Sequence, residues 1–228
     1  LDRIFTPRPG ILLESCSSGG NRFDLGMICY SPQVWCSDDT DPIERLTIQG
    51  NLSYLYPQST FGAHVSASPH AQTLRSTPLT TRGNVSFFGC LGYELDLDHL
   101  LPVEQKEIKE QIALYKKWRQ VLQFGNFYRG RVYDNTYEWT CVSPDKKKAV
   151  GFEMQVLFEP NTHFETYVPK GLDEDTKYHF TNRKLKVNIK DFGGLINQVI
   201  PFHIKPDSMI HNLAAKLVKM DAEKEDCV

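Results

Sequence analysis

Two short segments hold the residues best suited to chemistry, CSSGGNRFD (16–24) and WCSDDTD (35–41). The second crowds Asp38, Asp39 and Asp41 at one place. Like charges set so close favour keeping one carboxyl protonated, as a general acid requires. An ordinary aspartic acid titrates at about 3.9, so it needs such help to hold a proton near neutral pH. Trp35 beside the cluster offers an apolar wall to a sugar face or to the carboxyl itself. The first segment is a glycine-rich loop, and its backbone can approach a ligand closely where no side chain intervenes. Each segment also has a plain structural reading. An Asp-Asp pair before a helix is commonly a cap, and a CSSGG loop is commonly a turn.

The elements around these segments place them together. ILLES (11–15) follows Pro7, Pro9 and Gly10 and reads as a short buried strand, with Cys16 directly after it. MICY (27–30) and then VWCS (34–37) read as another buried stretch, with Asp38 directly after it. In a (β/α)₈ barrel, catalytic groups stand where strands end and loops begin. Asp41, Pro42 and Glu44 combine an N-cap, a proline at the first helical position and a capping-box partner, so a helix is expected from about 42 to 49. TFGAHVSAS (60–68) is a further strand candidate, leading into a polar loop through Thr81. PVEQKEIKEQIALYKKWRQVLQ (102–123) is the strongest helix, with Ile108, Ile112, Tyr115, Arg119 and Leu122 on one stripe.

Beyond Gly130 the texture turns β-rich. YEWTCVS (137–143), AVGFEMQVLFE (149–159), TYVPKGL (166–172) and KYHFTNRKLKVNI (177–189) alternate with polar turns. Trp139 reads as core of this β region. FGGLINQVIPFHI (192–204) suits a strand pair or a short helix, and MIHNLAAKLVKM (209–220) suits helix or strand equally.

At this point the two chemical segments, at this separation, resemble the C-terminal part of glycoside hydrolase family 36, the retaining α-galactosidases. The similarity continues through YP (56–57), GAHVSASP (62–69), TRG (81–83), FFGCLGYELDL (87–97), EIKEQIALYKKWRQVLQFG (107–125) and the tail IHNLAAKLVKMDAEKED, so it covers nearly the whole chain. The resemblance implies an α/β fold class: the C-terminal part of a (β/α)₈ TIM barrel over residues 1–129, then an incomplete antiparallel β-sandwich domain over 130–228. It places the two segments near the sixth and seventh barrel strands and implies about three of the eight βα units. It implies Asp38 as the acid/base and proton donor, with Cys16, Ser17, Ser18 and Gly19 contacting galactose hydroxyls. Asp39 and Asp41 then shape the loop and cap the next helix. His64 and His70 follow a strand end and are more often structural than ligand-binding in such positions.

The resemblance further implies hydrolysis of terminal α-galactosyl residues, as in melibiose and raffinose. It implies no metal or organic cofactor, and a homo-tetramer for the full-length protein. The family's nucleophile, an aspartate in a Lys-Trp-Asp-Met-Asn-type motif, has no counterpart in these residues. The chain reads as part of a longer frame and is expected to be inactive alone. Two alternatives stand beside this reading. One is a galactosyl transferase of the raffinose-forming kind. The other is a non-catalytic remnant or carbohydrate-binding module, which the missing nucleophile favours.

Bulk properties narrow the partners. A formal net charge of −2 over 228 residues offers no basic surface for nucleic acid. The apolar runs are only a few residues long, too short to span a membrane, and the first residues lack a signal-peptide pattern. The six cysteines show no C-x₂-C zinc spacing and read as reduced thiols of a cytoplasmic protein.

Overall fold

The computed structural model describes residues 1–20, 22–133, 135–157, 167–183 and 216–222. These fall into two compact units, Leu1–Phe124 and Gly125–Val228.

The first unit begins with a single helical turn, α1 (Asp2–Phe5), and the short strand β1 (Glu14–Ser15). Two further turns follow, α2 (Ser17–Gly20) and α3 (Leu25–Ile28), and then β2 (Gln33–Val34). Next come α4 (Pro42–Leu52), β3 (Gly62–Ser66), α5 (Leu79–Ser86), β4 (Cys90–Glu94) and the long α6 (Pro102–Phe124). β1 pairs with β2 in parallel, and β3 with β4. A parallel bridge from Val34 to Phe61 joins the two pairs. Strand, helix and parallel strand therefore alternate, as a barrel's wall requires.

Among the described residues this arc has four strands, where the sequence indicates about three βα units. The addition is β4, within FFGCLGYELDL, which lacks the alternation of a half-buried strand.

Other differences have local causes. MICY is no buried strand: Asp24 caps α3 by accepting from the Met27 N–H at 2.9 Å, and Cys29 is exposed. The polar loop expected through Thr81 gives way to α5, whose Thr81, Asn84 and Ser86 are buried by packing. On α6 the buried face runs through Ile108, Gln111, Tyr115, Trp118 and Leu122, while Arg119 is exposed. Gln111 can enter because its amide is satisfied: it donates to the Leu79 carbonyl at 3.2 Å and accepts from the Tyr93 hydroxyl at 2.8 Å. The core between strands and helices gathers Val65, Leu79 and Ile108, with Leu91, Tyr93 and Ile112 packed against them.

The second unit holds one antiparallel sheet of five strands: β5 (Asn126–Tyr133), β6 (Thr136–Val142), β7 (Lys148–Gln155), β8 (Tyr178–Asn182) and β9 (Lys216–Ala222). Their order is β5-β6-β7-β9-β8. β6 and β7 are buried along nearly their whole length, which matches their run of aromatic and β-branched residues. Trp139 is core, as expected, stacked on Phe152 with ring centroids 5.1 Å apart. TYVPKGL forms no strand over its described residues; Tyr167 and Leu172 pack instead on the sheet at Val142 and Ala149. Of MIHNLAAKLVKM, the part from Lys216 is strand. The segment FGGLINQVIPFHI lies outside the described residues.

Candidate active site

Pairing of the first two strands sets the geometry. Ser15 stands opposite Val34, and the Trp35 N–H continues the ladder by donating to the Ser15 carbonyl at 2.7 Å. Buried Ser31 locks the pair from the other end, accepting from the Ser15 N–H at 2.8 Å. The loops that begin at Cys16 and Trp35 therefore leave the sheet side by side, at the C-terminal ends of parallel strands.

The loop after β1 turns sharply. Ser18 and Gly19 adopt φ of 64° and 72°, in the left-handed region. Gly19 meets the next loop directly: a Cβ placed on it would lie 3.3 Å from Oδ2 of Asp38 and 3.6 Å from its Cγ. Glycine is needed here twice over, for the backbone angle and for the close approach. Cys16 and Ser18 are exposed beside it.

The acidic cluster separates into three different environments. Asp38 is exposed and accepts a hydrogen bond from the Trp35 indole N–H, with Nε1 and Oδ1 2.8 Å apart. Among the described residues it joins no ion pair. Asp39 closes its own turn, accepting at Oδ1 from the Asp41 N–H at 3.1 Å. Asp41 is fully buried and caps α4 through the Ile43 N–H at 2.9 Å. Its other oxygen accepts from the Thr73 hydroxyl at 2.5 Å and from Arg75 Nη1 at 2.6 Å. Burial opposes ionisation of Asp41, but the donors Thr73, Ile43 and Arg75 outweigh it and hold the carboxyl below its ordinary value.

Two expectations change accordingly. The helix start is as read, but the Asp41 N–H that a capping box would tie to Glu44 goes to Asp39, and Glu44 pairs with Arg75 at 3.2 Å. Asp41 also adds little like-charge repulsion to the cluster, because Arg75 compensates its charge.

Trp35 is the centre of the local packing. Gly62 makes room for it, since a Cβ there would lie 2.9 Å from Cε3 of the indole. The His64 ring lies 4.4 Å away, centroid to centroid, and the guanidinium carbon of Arg45 stands 4.9 Å from the indole centroid. Arg45 is 2% exposed and spends its donors on the backbone: Asp39 O at 2.7 Å, Ser37 O at 2.6 Å and Gly62 O at 3.0 Å. It also donates to Cys36 Sγ at 2.7 Å. Burial pushes the Cys36 thiol up, against the pull of Arg45, so this cysteine stays a neutral packing group.

Of the two histidines, His70 is structural: it is buried, with Nε2 3.1 Å from the Thr40 hydroxyl. His64 lies against Trp35, and burial lowers its pKa despite Glu94, whose Oε2 stands 3.5 Å from Nδ1. That distance gives an electrostatic pull rather than a well-formed hydrogen bond.

Sequence reading named Cys16, Ser17, Ser18, Gly19 and Asp38, and the paired strands bring the loop 16–19 against Asp38. The Ser17 side chain lies outside what is described. The reading missed Arg45, which fixes the loop carrying Asp38. Its one signal is a cation within the first turn of a capped helix. The sequence suggests an apolar wall at Trp35, but its polar edge makes the contact with Asp38.

Comparison with known proteins bears on this geometry. The family profile described as Melibiase matches residues 1–125, and the one described as Glycosyl hydrolase family 36 C-terminal domain matches residues 136–199. The alpha-galactosidase AgaA of Geobacillus stearothermophilus is 45% identical over 180 residues, which is 78% of this chain and 25% of that protein. Alpha-galactosidase Mel36A of Lactobacillus acidophilus is 44% identical over 183 residues, covering 78% of this chain and 24% of the relative. Among solved structures, the alpha-galactosidase of Lactobacillus brevis superposes with a TM-score of 0.83 at 40% identity, covering 99% of this chain and 31% of that one. A variant of the Geobacillus enzyme in complex with raffinose gives 0.81 at 36% identity, over 97% of this chain and 30% of that one. The chain thus spans about a quarter of the length of these curated relatives.

Proposed function

Because the chain belongs to glycoside hydrolase family 36, the melibiases, we propose that it supplies the acid/base half of a retaining α-galactosidase. Asp38 is the acid/base. It protonates the glycosidic oxygen as the galactosyl group leaves and later takes a proton from the incoming water. The loop of Cys16, Ser17, Ser18 and Gly19 contacts the galactose hydroxyls. Residues 1–129 carry this site and 130–228 form the β domain.

One observation carries the reading: the Asp38 carboxylate is exposed, in no ion pair among the described residues, and set directly against Gly19 at the ends of two parallel strands. A carboxylate that served only as a cap would look like Asp41, buried and paired. Relatives crystallised with raffinose and with stachyose support terminal α-galactosides as the substrate class.

A retaining mechanism needs a second carboxylate about 5–5.5 Å from the first. The sequence holds no Lys-Trp-Asp-Met-Asn-type segment to provide it. The nucleophile therefore comes from outside these 228 residues, and the isolated chain does not turn over substrate. Free thiols at Cys16, Cys29, Cys36, Cys90 and Cys141 support a reducing, cytoplasmic setting. No helix of the described residues is long and apolar enough to cross a membrane. In this reading the complete enzyme assembles as a homo-tetramer.

The test is a graft. Residues 1–228 replace the matching segment of the Geobacillus stearothermophilus α-galactosidase, and hydrolysis of an aryl α-galactoside is measured. The graft is expected to be active and its Asp38→Asn variant to lose about 10²–10⁴ in rate. Full activity of that variant would remove Asp38 from the mechanism.

A further inference from the structure

We propose that Trp35 decides which oxygen of Asp38 handles the proton: Oδ1 is reserved as an acceptor and Oδ2 gives and takes the hydrogen. This rests on the acid/base reading above and adds a positioning residue to it.

The two oxygens of Asp38 are not equivalent. Oδ1 lies 2.8 Å from Nε1 of Trp35. An indole nitrogen only donates, so the oxygen it faces must accept. A proton on Oδ1 would make that oxygen a poorer acceptor and crowd a second hydrogen against the indole. The protonated acid therefore places its hydrogen on Oδ2, which keeps Oδ1 as the carbonyl-like partner of the N–H. Oδ2 is turned toward the Gly19 loop, where only the absence of a side chain keeps it from a contact at 3.3 Å. It is the oxygen next to the loop that contacts the sugar in the reading above.

The donor is held firmly enough to impose this choice. The Trp35 backbone is tied to Ser15 by a 2.7 Å bond, and its ring is packed by Arg45, Gly62 and His64. Asp38 itself is exposed, and a free carboxylate there would rotate among several settings.

The proton inventory closes. In the first step the O–H bond at Oδ2 breaks and its proton goes to the glycosidic oxygen. The bond from that oxygen to the anomeric carbon breaks with its electron pair on oxygen, while a carboxylate nucleophile bonds to the carbon. In the second step water attacks the carbon, the nucleophile leaves with its electron pair, and the water's proton returns to Oδ2. The Trp35 N–H stays in place throughout.

Leaving groups separate this role from that of a mere wall. A phenyl α-galactoside needs protonation of its leaving oxygen, whereas a dinitrophenyl α-galactoside does not. In the graft, Trp35→Phe keeps an aromatic wall and removes the donor. The expected result is a fall in kcat/KM, which reports only the first step, of about tenfold or more on the phenyl substrate, with kcat/KM on the dinitrophenyl substrate within about twofold. The ratio of the two rates does not depend on how much protein is folded. Benzothienylalanine at position 35, which exchanges the N–H for sulfur in nearly the same shape, should reproduce the effect if the phenylalanine variant fails to fold.

Equal losses on both substrates, or no loss on either, would overturn the role of Trp35. Asp38→Asn separates the two claims. If it too lacks the leaving-group dependence, the acid/base reading itself fails. If it shows the dependence and neither Trp35 variant does, only the positioning role fails.

Discussion

Gly19 and Asp38 touch across two neighbouring strand ends: the Cβ that Gly19 lacks would lie 3.3 Å from Oδ2 of Asp38. The contact joins a loop that faces the sugar in our reading to the group that would cleave it. Gly19→Ala meets two obstacles, the φ of 72° and the crowding of Oδ2. The left-handed angle alone costs about 1–2 kcal/mol for an L-residue. In the graft, kcat/KM for an aryl α-galactoside should fall by more than the change in thermal midpoint explains. A wild-type kcat/KM would show that the contact does not matter to the site.

Arg45 ties the loop of Asp38 to the sheet. Arg45→Met removes the donors to the part-buried Ser37 and Asp39 carbonyls and to the Gly62 carbonyl, which also accepts from the Cys36 thiol at 3.5 Å. Unpaired buried polar groups cost about 1–3 kcal/mol each, so a loss of unfolding free energy of about that size, read as a lower denaturant midpoint, is expected. Arg45→Lys cannot span all three carbonyls and should recover only part of it. Unchanged stability in Arg45→Met would refute the anchoring role.

Asp41 makes the same region acid-sensitive. Its folded pKa lies below its unfolded value, so the stability it contributes is present above about 3.9 and is lost as pH falls through the folded value. Three donors to a buried carboxylate are worth about 2 kcal/mol, discounted for the partial exposure of Arg75. Asp41→Asn should lower the urea midpoint at pH 7 and flatten its fall below pH 4. An equally steep acid limb in the variant would contradict the assignment.

His64 acts over a different window. Burial lowers its pKa; Glu94 and Glu14 pull it up and Arg45 pushes it further down. A histidine held neutral in the fold contributes stability that is whole above about 6.5 and declines as pH falls toward the folded value. His64→Gln should remove that decline, read as thermal midpoint against pH between about 7 and 5. A decline that persists unchanged in the variant would place its origin elsewhere.

The meeting of the loop 16–19 with Asp38 was readable from sequence because each follows a strand end, where barrel chemistry concentrates, although ILLES is no buried strand: only Glu14 and Ser15 pair, and Ile11 and Leu12 are exposed. Asp41 as a cap was readable from Pro42 and the register of Glu44. What was hidden depends on contacts distant in sequence. β4 carries no alternation, since its five residues are all partly or well exposed. α5 buries polar side chains on a segment that reads as loop. α6 was recognised, but choosing Arg119 over Trp118 for its buried face followed a fixed repeat that tertiary packing rotated by about one residue. The hydrogen bonds of Arg45 go to backbone carbonyls on two other segments, and no residue pattern announces those.

The central claim, that Asp38 is the acid/base of a retaining galactosidase, is tested most directly by chemical rescue. In the graft carrying Asp38→Ala, a dinitrophenyl α-galactoside still forms the glycosyl-enzyme, but no base remains to activate water. Added azide needs no base. The account predicts that azide accelerates turnover and that the product is α-galactosyl azide, with the configuration of the substrate. Undiminished hydrolysis without azide, or no azide adduct from a folded variant, would contradict it.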